Sequence, residues 1–149
     1  MTKLSKEKNP TQEYLLQVKL CDAHIESLLE EKARLVALRE KITASWSLDK
    51  VAGSNSQDKM GDCTAKILDL EKEIDAAVDA FVDKKREVSA VIERVKNASV
   101  VKVLRKRYLD YKTWEQIACE MNYTYQGVCK LHGRALQAVA AVMEGEQHG

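Results

Sequence analysis

Apolar side chains recur along this chain in two long registers, with steps that alternate between four and three residues. In the first, the steps land on Tyr14, Val18, Cys21, Ile25, Leu28, Lys32, Leu35, Arg39, Ile42 and Trp46, and eight of these are apolar. In the second they land on Met60, Cys63, Ile67, Leu70, Ile74, Ala77, Phe81, Lys84, Val88, Val91, Val95 and Ala98, with eleven apolar. Charged side chains fill most positions between. A 3.5-residue repeat puts one narrow apolar stripe on a helix, the stripe that packs along a seam. Between the registers, Ser47 to Lys59 holds Gly53, Ser54, Asn55, Ser56 and Gln57, which interrupt both the repeat and helix propensity and predict a loop. Two helices of similar length joined by such a loop fold back antiparallel as a coiled-coil hairpin, each roughly 50 Å long at 1.5 Å per residue. Such an arm serves as a spacer or an oligomerisation element, and its seam can be satisfied within one chain or between two.

The C-terminal third changes character. Ala98 to Tyr111 fits a short amphipathic helix carrying Val100, Val101, Val103, Leu104, Tyr108 and Leu109. Thr113 and Gln116 have the spacing of a capping box, so a second short helix begins at Trp114. Ile117 and Met121, four apart, face inward, and Ala118 is small where two crossing helices must approach closely. Asn122 is placed at a turn that needs left-handed backbone, for which Asn is the most tolerant residue after Gly. Tyr123 is expected to close the small core, and Thr124 to cap a third helix that runs to about Met143. Val128, Leu131 and Leu136 form its inward face. Cap, small residue, turn and cap in this order are the signature of a helix-turn-helix. The expected organisation is a disordered N-terminus at 1–11, the hairpin at 12–97 with its loop at 47–59, a helix-turn-helix domain at 98–143 and a flexible tail at 144–149. The fold class is therefore all-α.

Charge sharpens this reading. Residues 1–93 carry 15 Lys/Arg against 18 Asp/Glu, residues 94–134 carry 9 against 3, and residues 135–149 carry none against 2. A chain with a net charge of only +1 thus concentrates +6 in one block, as expected of a segment that approaches a polyanion. On the third helix, Tyr125, Gln126, Cys129 and Lys130 lie opposite Val128 and Leu131, where a recognition helix meets base edges in the major groove. Gln126 can pair bidentately with adenine and Lys130 can donate to guanine. Arg105, Lys106, Arg107, Lys112, Thr124 and Arg134 are better placed for phosphates, which position a protein without reading sequence.

The run from Tyr108 to Leu136, with Thr113-Trp114-Glu115-Gln116-Ile117-Ala118 and Thr124 onward, resembles region 4 of bacterial sigma-70-type factors. That resemblance implies promoter reading through Tyr125, Gln126, Cys129 and Lys130, together with contact to the polymerase core. Sigma factors commonly carry Arg and Glu at the first two of these positions, so the same target sequence is not implied. Over most of residues 12–140 the chain looks like small phage and prophage proteins of Gram-positive bacteria, described as of unknown function and similar in plan to the RinA and ArpU late-gene regulators. The arm takes up residues 1–93 and leaves no segment to capture melted bases, so initiation of transcription alone is not expected.

The expected partner is double-stranded DNA, with host RNA polymerase as a further candidate and a homo-oligomer, a dimer first, as the working state. A phage terminase small subunit, or a polymerase-binding adaptor that never reads DNA, are the alternatives. No cofactor and no metal are expected: Cys129-x-x-His132 is half a zinc site without its other half. Cys21, Cys63, Cys119 and Cys129 lack paired spacing and read as reduced thiols. The polar start and the lack of any run near the roughly 20 apolar residues of a membrane span point to the bacterial cytoplasm. No Gly-rich phosphate loop or nucleophile–base pair suggests an enzyme.

Overall fold

A computed structural model describes residues 9–48 and 53–148, and the described residues are helical with short connections. Five α-helices follow one another: α1 (Pro10–Leu48), α2 (Gly53–Glu93), α3 (Ala98–Leu104), α4 (Trp114–Met121) and α5 (Tyr125–His148), with a π-helical turn at Arg105–Leu109 between α3 and α4. Among the described residues, no helix is long and apolar enough to cross a membrane.

α1 starts where its chemistry allows. Asn9 accepts from the amides of Thr11 and Gln12, 2.9 and 3.2 Å away, and Pro10, which has no amide to satisfy, opens the helix. The expected disordered N-terminus falls mostly on residues 1–8, outside the described residues. The expected loop is shorter than 47–59: Ser47 and Leu48 end α1, and residues 53–59 already belong to α2. Gly53, Ser54 and Asn55 are weak helix formers in an interior, but here they stand at the start of the helix, in its first turn. Positions 49–52 lie outside the described residues. The tail expected at 144–149 is helical through His148, because no breaker precedes it and Gly145 near a helix end costs little.

The chain divides into two compact units. In the unit made of residues 21–80, Leu28, Cys63, Ile67 and Leu70 are buried, and Lys32 Nζ lies 3.4 Å from Glu71 Oε1 across α1 and α2. Cys21, Ile25, Leu35, Arg39, Ile42, Met60, Ile74 and Ala77, the remaining described stripe positions there, are half-buried. The stripes read from the sequence are thus the faces that leave solvent.

The other unit joins the first turns of α1, within residues 1–20, to residues 81–149. One apolar cluster fills it, combining Leu15 and Val18 of α1, Val88, Val91 and Ile92 of α2, Val103 and Leu104 of α3, Tyr108, Ile117, Val128, Ala135 and Val139. Side chains such as Ile92 and Ile117 are fully buried and each contributes about 1.5–3 kcal/mol of transfer free energy. Leu15 and Ile92 fall beside the stripes, not on them; burying them takes more than one neighbouring helix. α2 ends at Glu93, so Ala98, the last position of the second register, is exposed and begins α3 instead. Asn97 caps α3 by accepting from the amides of Ser99 and Val100.

Candidate nucleic-acid interface

The sequence from Val103 to Leu109 places Val103, Leu104, Tyr108 and Leu109 on one side only if the helix widens. It does so: the Asp110 amide donates to the Arg105 carbonyl at 3.0 Å and the Lys112 amide to the Lys106 carbonyl at 2.9 Å. Tyr111 then ends the turn at a left-handed φ of 59°. A regular helix had been expected through Tyr111; the π-turn buries both Tyr108 and Leu109 and redirects the chain toward α4.

α4 begins at a complete capping box. Thr113 Oγ1 accepts from the Gln116 amide at 3.2 Å, and Gln116 Oε1 accepts from the Thr113 amide at 2.9 Å. Ile117 and Ala118 are buried against α5. Asn122 ends the helix at φ 59°, ψ 39°, and the Tyr123 amide closes the turn on the Ala118 carbonyl at 2.9 Å. Thr124 Oγ1 then accepts from the Gly127 amide at 2.9 Å and caps α5. Tyr123 does not close the core as expected: it is 40% exposed and its ring lies beside Gly127. A Cβ at Gly127 would lie 3.6 Å from Tyr123 Cδ2 and 3.0 Å from Thr124 Oγ1.

α5 separates two faces. Val128, Leu131, Ala135 and Val139 are buried, whereas Tyr125, Gln126, Cys129, Lys130 and Arg134 are exposed. All four residues assigned to base contact, together with Arg134, therefore share the solvent side of one helix.

The other basic residues assigned to phosphate are engaged within the chain. Glu120 accepts from Lys106 at 2.5 Å and from Lys112 at 2.7 Å; these bonds, Lys106 first, hold its carboxyl below the usual carboxylate range. The Arg107 guanidinium lies 4.2 Å over the Trp114 ring and donates to the Lys112 carbonyl at 3.0 Å. Arg105 reaches Glu93 at 3.8 Å. Thr124 retains a hydroxyl proton while its oxygen caps α5. No carboxylate stands within ion-pair distance of Lys130 or Arg134 among the described residues.

Behind the exposed face, His132 is held by a polar cluster the sequence did not reveal. Tyr108 Oη and His132 Nε2 are 2.5 Å apart, and the Trp114 ring lies 4.5 Å from the imidazole. Burial, then the Arg107 cation, pushes His132 down to about 4, and burial pushes Tyr108 up to about 12. Both groups are thus neutral near pH 7, and one hydrogen bond joins the hydroxyl to the imidazole. Cys129 is exposed, and His132 Nε2 is turned to Tyr108. Among the described residues, no three His, Cys, Asp or Glu side chains gather to hold a metal ion.

Fold and surface together define an all-helical protein whose last two helices, capped at both starts, present an exposed polar and basic face. Residues 41–139 match the family described as Protein of unknown function (DUF1492), and the chain belongs to that family. No curated protein and no solved structure matches it.

Proposed function

We propose that this protein is a sequence-specific DNA-binding transcription regulator of phage origin, acting in the bacterial cytoplasm and not as an enzyme. In this reading α4, the Asn122–Thr124 turn and α5 are a helix-turn-helix, similar to region 4 of sigma-70-type factors. The observation that carries it is the exposed row Tyr125, Gln126, Cys129 and Lys130 on the outward side of α5, beside an exposed Arg134 that has no ion pair among the described residues. A buried α5 face locked to α4 fixes how that row is presented, which is what direct readout of base edges requires. Gln126 and Lys130 supply the base-pairing chemistry, and Arg134 and the Thr124 hydroxyl meet phosphates. Lys106, Lys112 and Arg107 reach phosphate only by leaving their present partners.

Burial along both apolar stripes supports a coiled-coil hairpin formed by α1 and α2. One small helix-turn-helix offers limited contact area, so useful specificity calls for a second copy, a dimer, or a partner such as host RNA polymerase held through that arm. The test is to sequence the fragments of the source genome that the purified full chain retains, at low and at moderate salt. Enrichment at one or a few promoter-proximal sites, lost steeply as salt rises, is the expected result. Enrichment beside a terminase gene from a ring of many subunits would replace regulation with packaging. No enrichment at low salt would mean the basic face serves a protein partner such as polymerase, and the DNA reading would fall.

A further inference from the structure

Gln126, Lys130, Gly133 and Gln137 follow one another at steps of four, three and four along α5, and all are exposed. They form a single stripe opposite the buried Val128, Leu131, Ala135 and Val139. Gly133 is out of place by every internal criterion. It lies in the third turn of a 24-residue helix, where Gly is the least favourable residue after Pro. A Cβ added there meets nothing within 4 Å, so packing inside the molecule does not call for glycine. Gly127 differs, because its Cβ would crowd Thr124 Oγ1 at 3.0 Å. Gly61 and Gly145 are open as well, but Gly61 stands beside Asp62 with Asp58 three residues before it, and Gly145 stands between Glu144 and Glu146 near the end of α5. Gly133 instead sits among Lys130 and Arg134, the two cations of α5 without an ion pair among the described residues, and between two amide side chains.

We propose that Gly133 is the point of closest approach between α5 and DNA. The missing side chain lets the helix backbone settle against the wall of the major groove, so that Gln126 and Lys130 reach base edges and Gln137 joins the reading surface one turn later. Arg134, beside the stripe, falls to a phosphate. The proposal rests on the DNA-binding reading of α5 and lengthens its recognition surface from two turns to more than three.

The experiment uses the full chain and the duplex that it selects from a random-sequence library, with affinity read by fluorescence anisotropy and melting by far-ultraviolet circular dichroism. Gly133→Ala should melt higher, since alanine favours the helix, yet bind the selected duplex at least about tenfold more weakly. Its salt slope should match wild type, because no ionic contact is removed. Gly61→Ala should melt higher and bind as wild type does. A Gly133→Ala chain that binds as tightly as wild type would overturn the close approach while leaving the DNA reading intact. A wild-type chain that selects no duplex at low salt would remove the DNA reading, and this inference with it.

Discussion

Acidification from pH 7 to pH 5 should destabilise this protein through one side chain, His132. Its Nε2 is hydrogen-bonded to the Tyr108 hydroxyl at 2.5 Å, the Trp114 ring lies 4.5 Å away, and the Arg107 cation opposes its protonation. The folded state holds the imidazole at about 4, below its ordinary unfolded value near 6.5, so the unfolded chain takes up the proton first. Stability is therefore complete above about pH 6.5 and is lost as pH falls toward the folded value. Linkage over the full shift gives roughly 2 kcal/mol between pH 7 and pH 5; the ring is partly exposed, and solvent screening reduces this to about 1 kcal/mol. Glu87 is lowered by its bond from Tyr14 and Glu120 by its bonds from Lys106 and Lys112. Those contributions are retained above the ordinary carboxylate range and fade only at lower pH, which leaves this window to His132. Urea unfolding followed at 222 nm should show the loss in wild type. His132→Gln, which keeps a neutral side chain able to donate to or accept from the Tyr108 hydroxyl, should be flatter by that amount. Equal pH dependence in the two proteins would refute the assignment.

Other perturbations test separate links. Glu120→Gln releases Lys106 and Lys112, so duplex binding should tighten at low salt and its log–log salt slope steepen by up to about two, at roughly 0.9 per phosphate; an unchanged slope would place both lysines away from DNA. Ile117→Ala empties a fully buried position between α4 and α5 and should cost about 3 kcal/mol in urea unfolding. Thr113→Ala removes the capping box and should cost about 1 kcal/mol in the same assay. Asn122→Val forces a branched side chain into left-handed backbone and should cost about 1–2 kcal/mol, whereas Asn122→Gly should fold without loss.

Much of the site was legible because its signals are local. A cap and its acceptor lie three residues apart, as at Thr113 and Gln116; left-handed backbone selects Asn at position 122; a helix face is set by counting, as for Val128 and Leu131. The features that escaped are those whose partners are distant in sequence. Glu120 is 14 residues from Lys106 and meets it only in the folded chain. Tyr108 and His132 are 24 apart, and nothing in their spacing joins them. Tyr123, expected in the core, is 40% exposed, because it lies in the turn, where counting along a helix assigns no side.

The sequence by itself determined the caps at Thr113 and Thr124, the left-handed turn at Asn122, the two apolar stripes and the buried side of α5, since each depends on backbone propensity or on period alone; the π-turn and the ends of the connection between α1 and α2 did not follow from it. Tertiary structure decided which of the basic residues remain available. Arg105, Lys106, Arg107, Lys112, Lys130 and Arg134 are alike as letters, but ion pairs and stacking form only when distant segments meet. Packing brings Glu93, Trp114 and Glu120 to the first four, whereas no carboxylate among the described residues comes within ion-pair distance of Lys130 or Arg134 on α5.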